Sequence, residues 1–240
     1  MKTKILFILI VVLGLGITSC TDDFTEMNKN PNAITREEAS ARYFFTQPEV
    51  RLHKPNRYAY WRAILIHSDR YAGHFTFGFN GCWWSGELGY AYSSGYTNAA
   101  WGHYDGYFGN IDNFLSLTEE GGEFENQYMH AVGMIMKALY YQKFTDIFGY
   151  IPYTEAGKEG VVTPKFDSQE TIYKGVIDNL NAAINTIGDK EKTGAGVENL
   201  GENDVIYGGD LQRWKKLAYT LKLRMALKAH GASGNDFSES

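Results

Sequence analysis

The chain has 240 residues, enough for one large buried core or two small ones, and carries 28 Asp and Glu against 23 Lys and Arg, a formal charge of −5. With no clustered basic face, this balance excludes a phosphate-backbone partner, so no nucleic acid is expected. The cysteines, Cys20 and Cys82, do not make a disulfide framework, because the first has another use.

Lys2 and Lys4 precede an apolar run from Ile5 to Ile17, and Thr18-Ser19 lead into Cys20. A charged start, an apolar middle and small residues at the cut define a secretory signal peptide over residues 1–19, too short for a comfortable membrane span. Its removal takes Lys2 and Lys4 and no acid, leaving 21 basic residues against 28 acidic ones, a charge of −7. A cysteine directly after the cut resembles the bacterial lipobox, in which Cys20 becomes the acylated first residue. Several acyl chains then give a stable lipid anchor. Thr21-Asp22-Asp23 resembles the surface-export signal of some Gram-negative lipoproteins. Residues 20–34 therefore form an acylated N-terminus and tether, ending at the turn Asn30-Pro31-Asn32.

Thr35-x-x-Glu38 has the form of a capping box, opening a helix expected to run to about Gln47 and stop before Pro48. Tyr58, Trp61 and Leu65 keep helical spacing and predict a second helix over Arg57–Ala72. The stretch from Tyr71 to Phe108 follows. Thirteen of its 38 residues are Phe, Trp or Tyr, against 15% in the whole chain. Glycines at 73, 78, 81, 86, 89 and 95 argue against a continuous helix, so it is expected as a long loop insertion with short strands or turns near Gly89–Tyr96. Helical spacing resumes from Asn98 and predicts one helix to about Glu120. The strongest helix is Glu123–Phe148, in which Ala131, Gly133 and Ala138 allow another helix close approach. After the loop Gly149–Pro164, Asp167-x-x-Glu170 is a second capping box, opening a helix that Gly188 ends. Lys190–Gly209 is a loop, and Asp210 caps a last helix with Leu211, Trp214, Leu221 and Met225 inward. Amphipathic helices on short connections give an all-α fold of tetratricopeptide-like hairpins, without a clean 34-residue period. Because the last helix is apolar on one side and only a loop follows it, residues 35–240 are expected to be one helical domain truncated at its C-terminus.

Three stretches resemble one family. Asn28-Lys29-Asn30-Pro31-Asn32 looks like the Asn-x-x-Pro-Asn opening behind the lipid anchor. Asp146-Ile147-Phe148-Gly149-Tyr150-Ile151-Pro152-Tyr153-Thr154-Glu155-Ala156 resembles an Asp-x-x-Gly-x-x-Pro-x-x-Glu-Ala helix end. Trp214 to Ala226 resembles a Trp-x-x-x-Ala-x-x-Leu-x-x-Arg-x-Ala helix. The family is that of the SusD/RagB-like outer-membrane nutrient-binding lipoproteins, matched over about residues 20 to 230 and over the N-terminal half of a typical member. The resemblance implies helix pairs of tetratricopeptide type and a surface lid on a TonB-dependent, SusC-like transporter. It also implies an oligosaccharide ligand, or in some members a peptide.

Trp83 and Trp84 are the first ligand candidates, because a ring can lie on the apolar face of a pyranose. Tyr90, Tyr92 and Tyr96 alternate, and on a strand Tyr90 and Tyr92 would share a face; Asn80 and Asn98 offer amides. The competing reading is that these rings fill a core under the loop, leaving a helical-repeat scaffold that binds proteins. Asp146, Gly149, Pro152 and Glu155 are explained structurally, and Trp214 as a packing anchor. Glu87 and Asp105 are the weak glycosidase pair, and His67, His74 and His103 lack a metal spacing. No catalytic residue, metal or cofactor is expected.

Overall fold

The computed structural model describes residues 28, 30, 38–53, 60–74, 92, 94–106 and 108–232. The signal peptide, Cys20, Thr35 and the tether apart from Asn28 and Asn30 lie outside these residues. The chain divides into two units, Met1–Ala39 and Ser40–Ser240, and the second carries the helical fold.

That unit opens with Ser40, whose Oγ accepts from the Arg42 N–H (3.3 Å) and starts a 3-10 turn, Ala41–Phe44. Helix α1, Thr46–His53, follows. Pro48 lies in its first turn, where a missing N–H costs nothing, so the chain runs through the proline instead of stopping before it. A π-helical run, Tyr60–Ser68, continues into the short α2, Asp69–Tyr71. The expected second helix is thus present, though differently wound.

Helices α3, Ser94–Asp105, and α4, Phe108–Thr118, replace the single helix expected from Asn98 to Glu120. The break falls at Gly106, where a Cβ would sit 3.1 Å from the Gly102 carbonyl oxygen. Asn126 then caps α5, Gln127–Phe148, accepting from the N–H groups of Tyr128 and Met129, both at 3.1 Å. Fourteen of its 22 residues are buried, too many for one apolar stripe, so α5 is the central helix, with α4 among its neighbours. At Gly133 a Cβ would lie 2.9 Å from both Leu115 and Phe114, so only glycine admits α4 this closely.

Gly149, at φ +72°, ends α5. Two short strands, β1 (Ile151–Pro152) and β2 (Phe166–Asp167), pair antiparallel with Ile151 opposite Asp167, and so pin the loop between them. Asp167 does not cap the next helix. Its carboxylate accepts from the Thr154 N–H (2.7 Å) and hydroxyl (2.8 Å). Burial works to raise its pKa, but these bonds and the Lys165 charge outweigh burial and hold it below the usual carboxylate range. Ser168 takes over as cap, its Oγ accepting from the Thr171 N–H (3.2 Å), and α6 runs Gln169–Ile187.

The last helix, α7, Leu211–Ala229, is capped by Asp210 as expected. Trp214 on α7 is fully buried, with Phe45 5.8 Å away edge-on and Phe45 in turn 4.9 Å from Phe114. The indole N–H donates to Asp204 (2.6 Å), whose carboxylate also accepts from the N–H groups of Ile206, Tyr207 and Gly209. Glu49, 1% exposed, accepts from the Val205 N–H (2.9 Å) and faces Asp204. Burial, and then the hydrogen bond to Asp204, push the Glu49 carboxyl up to about 9, so at neutral pH Glu49 holds the proton of this carboxyl pair. The first helix of the unit is thereby fastened to the loop before the last one.

Candidate functional site

Of the residues singled out in the sequence, Asn80, Trp83, Trp84 and Tyr90 lie outside the described residues, as do Glu87 and the side chains of His67 and Asp105. Tyr92 precedes α3, is 75% exposed and belongs to no strand. Tyr96 stands on α3, which starts at Ser94 rather than Asn98. The expected alternation on a strand therefore does not extend to it. Helical geometry instead sets its ring against Arg62 of the π-helical run, with the guanidinium carbon 5.3 Å from the ring centroid. Arg62 Nη2 also donates to the Gly95 carbonyl (3.4 Å). Asn98 is exposed on the same helix.

Further along α3, Trp101 and Tyr104 are three residues apart and share a face. They meet Phe144 and Phe148, four apart on α5. Trp101 lies 5.0 Å from Phe144 and 5.1 Å from Phe148, and Tyr104 stacks on Phe144 at 5.3 Å. The ladder ends at Phe166 on β2, which lies nearly parallel to Trp101, 12° between planes and 5.8 Å between centroids. Phe166 is 56% exposed, so its free face continues the ladder into solvent. The pairing Pro152↔Phe166 sets it there, since Asp167 on the opposite face is buried.

Tyr104 is buried and its hydroxyl is pushed up to about 12, by burial first and then by the Asp146 charge. Its neighbour His103 has its pKa lowered by burial and by Lys143, which favours a neutral ring. Such a strip offers flat faces, an adjacent cation and neutral hydrogen-bonding rings. That suits noncovalent capture of ligands with apolar faces. His74 is exposed beside Asp69 (3.8 Å), and among the described residues no His, Cys, Asp and Glu group is arranged to hold a metal.

Sequence reasoning located the aromatic neighbourhood but passed over Trp101 and Phe166. Trp101 was legible as part of the ring-rich stretch. Phe166 carried no local signal, because its role comes from stacking on Trp101, 65 positions away in sequence, once β2 has paired with β1. Asp146 accepts from the Tyr173 hydroxyl (2.5 Å) and pairs with Lys228, and Glu155 accepts from the Lys165 N–H (2.9 Å), so both act structurally.

A family profile for SusD-like proteins, starch-binding and associating with the outer membrane, matches residues 36–239. Among solved structures, the chain is similar to a chitin-binding protein, at 29% identity and a TM-score of 0.64 over 81% of this chain and 39% of that one. It is also similar to a SusD-like protein from Bacteroides thetaiotaomicron (22% identity, TM-score 0.65, 80% and 38% covered). A third similarity is to a chitin-binding SusD homologue from Flavobacterium johnsoniae (22%, TM-score 0.61, 78% and 37%). The chain thus spans about two fifths of the length of the solved proteins that it matches. No curated protein matches it. No described helix is long and apolar enough to cross a membrane.

Proposed function

We infer the function from one premise: the chain belongs to the SusD-like family, whose profile covers residues 36–239. It acts as a cell-surface lipoprotein, anchored in the outer membrane through Cys20. There it binds nutrient oligosaccharides and delivers them to a TonB-dependent, SusC-like transporter. The observation that carries this reading is the aromatic strip, in which an exposed Tyr92, an Arg62-backed Tyr96 and the Trp101–Phe166 stack lie on or beside one helical scaffold. Stacking faces beside polar groups suit pyranose rings, and no step in this role requires bond-making chemistry. Trp83, Trp84, Tyr90 and Asn80 act as further ligand contacts in this reading, and residues 35–240 form the helical domain. A chitin-binding protein at 29% identity makes chito-oligosaccharides the first glycans to try.

The test is a melt of the mature protein against a panel of chito-, malto- and xylo-oligosaccharides. A true ligand at a hundredfold excess over its Kd raises stability by about 2.7 kcal/mol. Replacing Trp83 and Trp84 together by Ala removes that shift while leaving the ligand-free melt in place. If no glycan moves the melt and no β-barrel transporter is recovered with the protein from outer membranes, the reading is wrong.

A further inference from the structure

Beneath Trp101 lies a cavity of about 170 Å³ between α4, α5 and the loop pinned by the strand pair. Phe108, Tyr140, Tyr141 and Phe144 form its aromatic lining, and Pro152 and Pro164 are on its loop side. Its volume is that of a single ring rather than of a whole drug-sized ligand, which fills about 300 Å³ or more.

The lining is not purely apolar. Tyr141 is 1% exposed, held edge-on by Tyr153 at 4.8 Å and by Phe108 at 5.8 Å. Yet its hydroxyl makes no hydrogen bond among the described residues, unlike neighbouring Tyr140, whose hydroxyl donates to the Tyr104 carbonyl at 2.6 Å. Polar groups in so buried a setting normally find a partner, and Tyr141 lines the cavity, where a ligand oxygen would supply one. Burial raises the pKa of this phenol, so it stays protonated and able to donate.

The complementary group stands beside the lining residue Gly157, just outside the lining itself. Gly157, at φ +76°, passes so close to Asp112 that a Cβ would lie 2.6 Å from its Oδ2 and 3.0 Å from the Phe108 ring. Asp112 is fixed by Lys137 at 3.1 Å, and that lysine also stands 5.2 Å above the Phe108 ring. A phenol donor and flat rings in the lining, with a carboxylate acceptor beside Gly157, match a pyranose, which has apolar faces and hydroxyls at its edge.

We propose that this cavity is a separate subsite holding one pyranose ring of the glycan, with an oxygen of the sugar accepting from Tyr141 and a hydroxyl donating to Asp112. The subsite rests on the glycan-binding reading above and shares Trp101 with it, but its two hydrogen-bonding groups, Tyr141 and Asp112, take no part in that reading. Two larger hollows of about 350 Å³ lack this arrangement. In one, Asp146 is already taken by Tyr173 and Lys228, and the other is bordered by Glu119, Glu120 and Glu125.

The experiment measures affinities of the mature lipoprotein for chitotriose, maltotriose and a proline-rich peptide, for the unaltered protein, Tyr141→Phe, Phe166→Ala and a Trp83→Ala/Trp84→Ala double variant. Tyr141→Phe removes one oxygen without emptying the core, and circular dichroism melts check that each variant remains folded. The expected result is a 5- to 20-fold loss of affinity for one saccharide in Tyr141→Phe, matching one hydrogen bond, with the melt nearly unmoved. Phe166→Ala, which uncovers the Trp101 face, is expected to weaken the same saccharide several-fold. If saccharide binding falls in the double variant but survives both Tyr141→Phe and Phe166→Ala, the subsite is overturned and the glycan reading stands. If no saccharide binds, both are overturned. If only the peptide binds and is lost in Tyr141→Phe, the cavity is a site but its saccharide assignment is overturned.

Discussion

Two aromatic clusters in this protein use the same kinds of side chain under opposite rules. Around Trp214, the rings of Phe45 and Phe114 are sealed, and the one indole N–H is answered by Asp204, itself accepting from three backbone N–H groups. Around Trp101, the rings pass from a buried Phe144 to an exposed Phe166, over a cavity whose Tyr141 hydroxyl is unanswered among the described residues. The first cluster has satisfied every bond it offers, so its residues serve stability. The second retains unfilled volume and bonding capacity, which a core would lack. The difference lies in satisfaction and access, and aromatic content alone does not reveal it.

The contrast can be broken most forcefully at Trp214. Replacing it by Ala empties the largest fully buried side chain among the described residues and removes a donor from Asp204, for an expected loss of about 3–5 kcal/mol. Urea unfolding would show a lower midpoint with an unchanged slope. A loss below 1 kcal/mol would mean that the sealed cluster is no anchor.

Next in size is the carboxyl pair beneath it. Folded Glu49 keeps its proton to about 9, whereas the unfolded chain releases it near 4.5. The folded state then binds more protons between these values. Its stability is therefore fullest below about 4.5 and falls as pH rises toward 9, by at most about 1.4 kcal/mol per pH unit for one proton. Glu49→Gln retains a neutral hydrogen-bonding group and should flatten that slope. Unfolding free energies at pH 5, 7 and 9 decide the matter, and equal slopes for both proteins would count against a shared proton.

A smaller effect is expected at Gly133, where Ala places a methyl 2.9 Å from Phe114 and Leu115. Overpacking of this kind costs about 1–3 kcal/mol, read as a lower melting temperature. Smallest is Phe166→Ala in the open cluster, expected to change stability by no more than about 0.5 kcal/mol while altering Trp101 fluorescence. Should it destabilise the fold as much as the Trp214 variant, the two clusters would be one core and the distinction would fail.

Periodicity made the long helices legible. The apolar spacing in α5, α6 and α7 was strong enough to place each of them, and the Asp210 cap and the close approach at Gly133 followed from local chemistry. Three local rules met stronger competitors. Pro48 was tolerated by its position in a first turn, Gly106 divided an otherwise regular pattern, and Asp167 left its capping role because Thr154 offered two donors. The open cluster was least legible. Trp101, Tyr141, Gly157 and Phe166 come from two helices, a loop and a strand, and only their packing reveals what they share. Within the helix Tyr141 is one of fourteen buried residues, and no neighbour in sequence marks its hydroxyl as unanswered.

The fastening of α1 to the far loop has a consequence for the order of events during synthesis. The Thr46 hydroxyl donates to the Asn203 carbonyl at 2.6 Å, across 157 positions of sequence, and Phe45 reaches Trp214 across still more. Closing so large a loop has to wait until almost the whole unit has left the ribosome or the translocon, and contacts of this range form late. The start of the helical unit can rest on Phe114 of α4 earlier, but its fastening to the Asn203 loop and α7 comes after α4, α5 and α6 have assembled from nearer neighbours. Arg51 is exposed on α1, so trypsin should cut it faster in a nascent chain stalled before Trp214 than in one released beyond α7, where α1 is held as a docked helix.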